Sequence, residues 1–378
     1  MVDELSNDDH RFMARALQLA ERGLFTTDPN PRVGCVLVKA GEVIGEGWHQ
    51  RAGEPHAEIN ALQAADDFAK GTVKNGAKGA TAYITLEPCC HHGRTPPCSE
   101  ALIAAGVSRV VVAMEDPNPQ VAGQGMAQLQ KAGIETLSGV MQAQAETLNP
   151  GFIQRMRHGR PYVRGKMAMS LDGRTAMASG ESQWITGAEA RQDVHRLRAR
   201  SAAILTGIGT VLADNPSLTA RLDETEVEQP LRVVLDSQLQ MPVTAKLLSQ
   251  PGRTLVLTVN SDEQKTAALC AAGAEVELLA SSNGRLDLSA VMACLARREI
   301  NEVMVEAGAT LCGALLQADL FDELIIYMAP LIMGDEARGL LSLPGLQKMS
   351  DRVELKIEDM RAVGRDWRIQ ARPVLKQT

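Results

Sequence analysis

A chain of 378 residues has room for two domains, or three small ones, and 45% apolar residues supply ample core. The net charge of −7, with only three Trp, three Tyr and five Phe, weighs against nucleic acid as a partner, because that class of ligand calls for basic patches and aromatic platforms. A membrane protein is not expected either: the N-terminal Met1-Val2-Asp3-Glu4-Leu5 lacks the basic and apolar regions of a signal peptide, and the apolar stretch Leu324–Met333 is too short to span a bilayer.

In chain order, Ser6, Asn7 and Asp8 offer N-caps to a helix whose apolar stripe is Met13, Ala16, Leu17 and Ala20, with Gly23 able to end it. Val33–Lys39 and Glu42–Trp48 read as a hairpin turning at Ala40-Gly41. The alternation then settles into helix His56–Phe68, strand Ala80–Leu86, helix Cys98–Ala105, strand Arg109–Met114, helix Gly123–Ala132 and strand Ile134–Leu137. Such alternation predicts a layered α/β domain with a largely parallel sheet. A connecting helix, Met141–Leu148, leads to the turn-rich Asn149-Pro150-Gly151, which places the domain boundary near residue 150. Beyond it come strand Pro161–Met169, helix Ala188–Ala199, strand Ala202–Leu205 and a helix near Gly209–Ala213, then strands Leu231–Leu235 and Thr254–Val259. Helix Glu263–Ala272, strand Glu275–Leu279, helix Leu288–Arg298, strand Glu302–Val305 and helix Thr310–Gln317 follow. The extended runs Glu323–Ala329, Val353–Ile357 and Trp367–Ala371 complete a second α/β domain.

The first hundred residues hold four of the seven cysteines (Cys35, Cys89, Cys90, Cys98) and five of the seven histidines. An odd number of scattered cysteines does not make a disulfide scaffold; reduced cytoplasmic thiols, some binding metal, are expected. His56 opens a predicted helix, Pro88-Cys89-Cys90 ends a strand, and Cys98 opens the next helix. One imidazole and two thiolates leave a fourth tetrahedral position free, which is the layout of a catalytic zinc. His91 and His92 are alternative ligands. Zinc lowers the pKa of bound water to about 7, and Glu58, two residues from His56, is placed to move its protons, the division of labour of zinc deaminases. Cys35 in the first strand reads as core, and Cys270, Cys294 and Cys312 as packing.

Asn30-Pro31-Arg32-Val33-Gly34, His56-Ala57-Glu58 and Glu87-Pro88-Cys89-Cys90-His91-His92-Gly93-Arg94-Thr95-Pro96-Pro97-Cys98 together resemble the deaminase half of the bifunctional riboflavin-biosynthesis deaminase/reductases. The eight-residue gap before Cys98 is typical of that family, where most cytidine-type deaminases have two residues. The resemblance implies a cytidine-deaminase-like domain over residues 1–149. It selects His56, Cys89 and Cys98 as zinc ligands and Glu58 as the catalytic acid/base, with Asn30, His49, His91 and Arg94 facing the substrate. Cys90 departs from the serine usual there.

In the second half, Gly207-Ile208-Gly209 and Glu306-Ala307-Gly308-Ala309-Thr310 each follow a strand and open a helix, where backbone N–H groups can cradle a phosphate. Neither is a complete dinucleotide fingerprint. Lys166–Gly173, Gly180–Thr186, Arg196–Ala199, Thr206–Thr219, Asp236-Ser237 and Val305–Gly308 are similar to the family's reductase domain, whose fold resembles dihydrofolate reductase. The resemblance implies a reductase over 150–378. Around NADPH it places Ala168, Trp184, Thr210, Asp214, Ser237 and the turn Gly308, Ala309, Thr310, Leu311, Cys312, Gly313 and Ala314. Around the substrate it places Lys166, Ser182, Arg198, Leu218, Arg221 and Glu306. Arg198 and Arg221 suit a phosphate because a guanidinium binds its oxygens in pairs; Trp184 reads equally as a cofactor wall or a core plug, and Asp172 as a turn residue.

The expectation is therefore a cytoplasmic enzyme with one zinc per chain, NADPH, small pyrimidine ribosylamino 5′-phosphate substrates and a homo-oligomeric state, dimer or tetramer. It would deaminate a diaminopyrimidinone and then reduce the ribosyl side chain to ribityl. The alternative is a zinc nucleoside or tRNA deaminase with a non-catalytic C-terminal binding domain.

Overall fold

The computed structural model describes residues 6–69, 76–91, 97–119, 121–222 and 227–374. They form two compact units, Met1–Gly159 and Arg160–Thr378.

The first unit opens with α1 (Asn7–Ala20), where Ser6 and Asp9 exchange side chain-to-backbone hydrogen bonds in a capping box. The hairpin β1 (Gly34–Lys39) and β2 (Glu42–Trp48) turns through Ala40 and Gly41, both left-handed as a two-residue hairpin loop requires. Then follow α2 (Ala57–Phe68), β3 (Thr81–Ile84), α3 (Cys98–Ala105), β4 (Arg109–Val112), α4 (Gln124–Lys131), β5 (Glu135–Ser138), α5 (Gln142–Leu148) and α6 (Pro150–His158). The sheet order is β2-β1-β3-β4-β5, antiparallel across β2, β1 and β3 and parallel from β3 to β5. Helix α2 lies hard against β2: a Cβ on Gly47 would stand 2.4 Å from the Ala57 carbonyl oxygen and 2.4 Å from the Ala61 nitrogen. Asn149-Pro150-Gly151 does not break the chain as the turn-rich composition suggests. Pro150 occupies the first turn of α6, where its missing N–H costs nothing, and Phe152 and Ile153 pack on this unit's core.

The second unit contains β6 (Tyr162–Ser170), β7 (Arg174–Ala176), α7 (Ala188–Arg200), β8 (Ala203–Gly207), α8 (Ile208–Asp214), β9 (Leu231–Leu235), β10 (Thr254–Thr258), α9 (Glu263–Ala271) and β11 (Ala274–Leu278). It continues with β12 (Ser281–Ser282), β13 (Arg285–Leu286), α10 (Leu288–Arg297), β14 (Glu302–Val305), α11 (Ala309–Gln317), β15 (Glu323–Ala329), β16 (Arg338–Gly339), β17 (Leu355–Val363) and β18 (Asp366–Pro373). Its nine-stranded sheet runs β11-β10-β9-β8-β14-β6-β15-β18-β17, parallel up to β15 and antiparallel through the last two. Buried runs such as Ala203–Thr206 and Arg232–Leu235 mark strands covered on both faces. Within the sheet, Arg164 on β6 is fully buried between Glu302 on β14 and Glu323 on β15. Cys35, Cys294 and Cys312 are buried as expected, but Cys270 is exposed on α9. Trp184 is no core plug: it is 68% exposed, with the Arg191 guanidinium 4.7 Å above its ring.

Candidate active sites

In the first unit, His56 is the N-cap of α2, in extended backbone just before the helix begins. Cys98 is the first residue of α3, and Cys89 follows the strand β3. The three donor atoms lie within 4.8 Å of one another, with His56 Nδ1 3.3 Å from Cys98 Sγ and 3.7 Å from Cys89 Sγ. The Cys98 backbone N–H donates to Cys89 Sγ at 3.3 Å, which places the negative end of a thiolate at the positive end of α3. A hydrogen bond from the Cys98 thiol, aided by His56, holds the Cys89 thiol down to about 4, while that same bond and burial push Cys98 up. One imidazole and two sulfurs in this arrangement suit a three-ligand zinc.

Glu58 points into this cluster from the first turn of α2 and is only 3% exposed. Burial pushes its carboxyl up to about 7, with His56 pulling the other way. A buried acid near neutrality is equipped both to take and to return a proton.

Asn30 and His49 stand beside the candidate metal ligand His56. Asn30 Nδ2 donates to His49 Nε2 at 3.0 Å, so Nδ1 carries the imidazole proton and donates to the Pro55 carbonyl at 3.2 Å. Burial lowers the His49 pKa and keeps the ring neutral, and it meets the His56 ring edge-on at 5.3 Å. The loop carrying Asn30 is clamped from a distance: Asn149 Oδ1 accepts from Arg32 N at 2.8 Å and Asn149 Nδ2 donates to the Arg32 carbonyl at 2.9 Å. His91 is exposed, and Arg94 lies outside the described residues.

One residue with a structural hold on this site was not singled out from the sequence. The buried Glu87 carboxylate accepts from four backbone N–H groups, those of Asp116, Gly123, Gly125 and Met126, at 2.8–3.2 Å. It ties the start of α4 to the strand end that carries Pro88 and Cys89. An acid directly before a Pro-Cys ligand, at the end of an apolar strand, was the available signal.

In the second unit, the pairing of Val305 with Gly165 sets Glu306, just past β14, level with Lys166 on β6. Arg198 on α7 reaches across to Glu306 in a bidentate pair of 2.6 and 2.9 Å, and its third nitrogen donates to the Thr219 carbonyl at 3.1 Å. Burial raises the Glu306 carboxyl, but Arg198 beside it outweighs that and leaves it below its ordinary value. Burial lowers the Lys166 ammonium, with Glu306 opposing. Leu218 is buried in a left-handed conformation and turns the 218–221 segment back toward α7. Arg221 is exposed at the edge of this cluster.

Of the expected cofactor residues, Thr210, Asp214, Ser237 and the Gly308–Ala314 turn follow the carboxyl ends of the parallel strands β8, β9 and β14, where open α/β sheets take their ligands. Gly207 caps α8, which carries Thr210 and the exposed Asp214. Ser237 follows β9, and its hydroxyl accepts from Leu286 N at 3.3 Å. Gly308 caps α11 without any side-chain partner for the helix N–H groups, and a Cβ there would meet nothing within 4 Å. That uncapped, open N-terminus fits a dinucleotide pyrophosphate. Two polar atoms at the ends of β8 and β9, Thr206 Oγ1 and Asp236 Oδ1, are buried with no hydrogen-bond partner among the described residues. Ala309–Leu311 border the open side. Cys312 is buried, Gly313 stands against the Ser342 backbone (a Cβ would be 2.0 Å from its oxygen), and Ala314 is half-buried. Ala168 packs beside Ala190 and Val194, and half-buried Ser182 lies in the stretch that presents Trp184.

Residues 6–114 match the family described as the cytidine and deoxycytidylate deaminase zinc-binding region, and residues 161–369 match the RibD C-terminal domain. Among similar proteins, the riboflavin biosynthesis protein RibD of Escherichia coli K12 is 53% identical over 95% of this chain and 97% of its own. That of Haemophilus influenzae is 49% identical over 98% and 99%. A solved RibD of Acinetobacter baumannii superposes with a TM-score of 0.89 at 45% identity, covering 97% of this chain and 99% of that one. A Thermotoga maritima diaminohydroxyphosphoribosylaminopyrimidine deaminase/5-amino-6-(5-phosphoribosylamino)uracil reductase superposes at 0.85 with 34% identity, over 97% and 99%.

Proposed function

Because the chain belongs to the RibD family, bifunctional zinc deaminases and NADP-dependent reductases of riboflavin biosynthesis, we propose specific roles for its own residues in those two activities. The deaminase is assigned to residues 1–149 and the reductase to 150–378, with α6, numbered in the second stretch, packed on the first core. The substrate of the first step is 2,5-diamino-6-(5-phosphoribosylamino)pyrimidin-4(3H)-one, and that of the second is its deaminated ribosylamino product.

In the first unit, His56, Cys89 and Cys98 would hold a zinc ion, which would supply a water-derived nucleophile at neutral pH. The buried Glu58 carboxylate is the proton carrier of the site, able to accept a proton from attacking water and to return one to the leaving ammonia. Asn30 and neutral His49 hold the pyrimidine edge, and His91 and Arg94 reach toward the substrate. In the second unit, Lys166, Ser182, Arg198, Leu218, Arg221 and Glu306 line the ribosyl phosphate site. Ala168, Trp184, Thr210, Asp214, Ser237 and Gly308–Ala314 surround NADPH, which supplies the two electrons of the reduction. No side-chain nucleophile is needed: charged groups held by one another position the sugar. A homo-oligomer, dimer or tetramer, is supported by the apolar Ile357, Met360 and Trp367 left exposed on β17 and β18. Cytoplasmic placement is supported by a thiolate metal site that needs reduced cysteines, and the acidic net charge of −7 supports the absence of nucleic acid.

The observation that carries the assignment is the convergence of one imidazole, two thiols and a buried carboxylate at the starts of two helices and the end of one strand. The test is Glu58→Gln. Ammonia release falls by about 10²–10⁴-fold, while zinc content stays at that of the wild type. Retention of ammonia release in that variant contradicts the role of Glu58.

A further inference from the structure

The ribosyl phosphate site contains a histidine with no assigned role. His195 lies on α7 one turn before Arg198, so both side chains leave the same face of the helix. Its Nε2 is 3.2 Å from Arg221 Nη2. A guanidinium nitrogen only donates, so the imidazole nitrogen facing it must accept and carry no proton.

The surroundings make this contact consequential. The Arg198 guanidinium is committed to Glu306 and to the Thr219 carbonyl through three hydrogen bonds. Arg221, by contrast, projects from the segment's exposed end with its tip against His195. The segment itself is fixed: the Gln229 side chain bonds Ala220 on both its N–H, at 3.1 Å, and its carbonyl, at 2.9 Å. Backbone position is therefore set at Ala220, and the direction of the Arg221 side chain is set by His195.

We propose that His195 is a positioning residue whose unprotonated imidazole aims Arg221 at the anionic phosphoester end of the reductase substrate. The proposal rests on the reductase reading above. The charged groups facing the ring are Arg198 from its own helix, Arg221 from the 218–221 segment and Glu306 from the end of β14. Burial lowers the pKa of His195, the two arginines lower it further, and the Thr219 carbonyl and Glu306 oppose them. The ring is thus neutral at pH 7 and becomes protonated only on the acid side of its ordinary value. Protonation removes the acceptor and sets a positive charge directly against Arg221, so the arginine swings away and phosphate binding weakens as pH falls.

The test compares wild type, His195→Leu and His195→Gln in the full chain. Glutamine keeps an acceptor and does not titrate; leucine keeps bulk and has no acceptor. Steady-state reduction of the deaminated ribosylamino phosphate is followed from pH 5.5 to 8. Calorimetric titration of ribose 5-phosphate reads the same contact without turnover. At pH 7.5, His195→Leu raises KM and weakens ribose 5-phosphate by about tenfold, with kcat changed less than about twofold. His195→Gln restores both to within about threefold of wild type and has a flatter KM profile below pH 6.5. Substrate phosphate protonation is common to all three proteins and cancels in the comparison. A wild-type KM in His195→Leu, or a glutamine variant as impaired as leucine, overturns the proposal. A wild type that binds ribose 5-phosphate but never oxidises NADPH refutes the reductase reading instead.

Discussion

Glu306 and Arg198 show how single side chains set the second site. Both are largely withdrawn from water, and their bidentate contact is the main compensation for burying either charge. Arg198→Met therefore leaves an uncompensated buried carboxylate and destabilises the second unit by about 3 kcal/mol at pH 7. The pH dependence follows from the direction of the shift. The Glu306 pKa is lower in the folded chain than its ordinary value, so its contribution is present above the unfolded pKa of about 4.3 and is lost as pH falls through the folded value. In denaturant titrations the gap between wild type and Arg198→Met is full at pH 7 and closes below about pH 4. A gap of constant size from pH 7 to 3.5 contradicts the ion-pair account.

Elements matter most where a backbone leaves no room for a side chain. Helix α2 presents both His56 and Glu58 from its first turn, and its seat on β2 depends on Gly47. Gly47→Ala forces a Cβ into the Ala57 carbonyl and lifts that turn from the strand. The variant loses zinc and ammonia release, while NADPH oxidation with separately supplied deaminated intermediate persists. Metal analysis of the purified variant checks it, and wild-type zinc content contradicts the seating argument. Much at this scale was legible. Cys98–Ala105 reads as a helix from its first residue, and Leu231–Leu235, Glu302–Val305 and Glu323–Ala329 are bounded as their apolar runs suggest. The candidate metal ligands His56, Cys89 and Cys98 stand out because two sit where a helix starts and one follows a strand. The full β17–β18 hairpin was not legible: seven of the nine residues of β17 are exposed, and Lys356, Glu358, Asp359 and Arg361 erase a period-two pattern. Pro150 was misleading because a first-turn proline and a turn proline look alike in sequence. The Asn149–Arg32 clamp and the His195–Arg221 contact join residues 117 and 26 positions apart, and no local pattern announces them.

Across the whole molecule, an acidic chain of net charge −7 handles anionic substrates because its cations are placed rather than numerous. Lys166 and Arg198 stand by Glu306 in the second unit, and Arg221 lies at the exposed edge against His195. The seven cysteines divide as unevenly: two face the metal position, Cys90 adjoins it, three are core and Cys270 is exposed. Two separate sheets thus serve two chemistries in sequence, hydrolysis of an amine and then reduction of a sugar. The direct measurement supplies the zinc-loaded full chain with the diaminopyrimidinone ribosylamino 5′-phosphate and NADPH, and follows ammonia and the 340 nm absorbance together. The account predicts that ammonia appears first and that one NADPH is oxidised for each ammonia released. NADPH oxidation without ammonia, or complete deamination with no loss of absorbance, would contradict it.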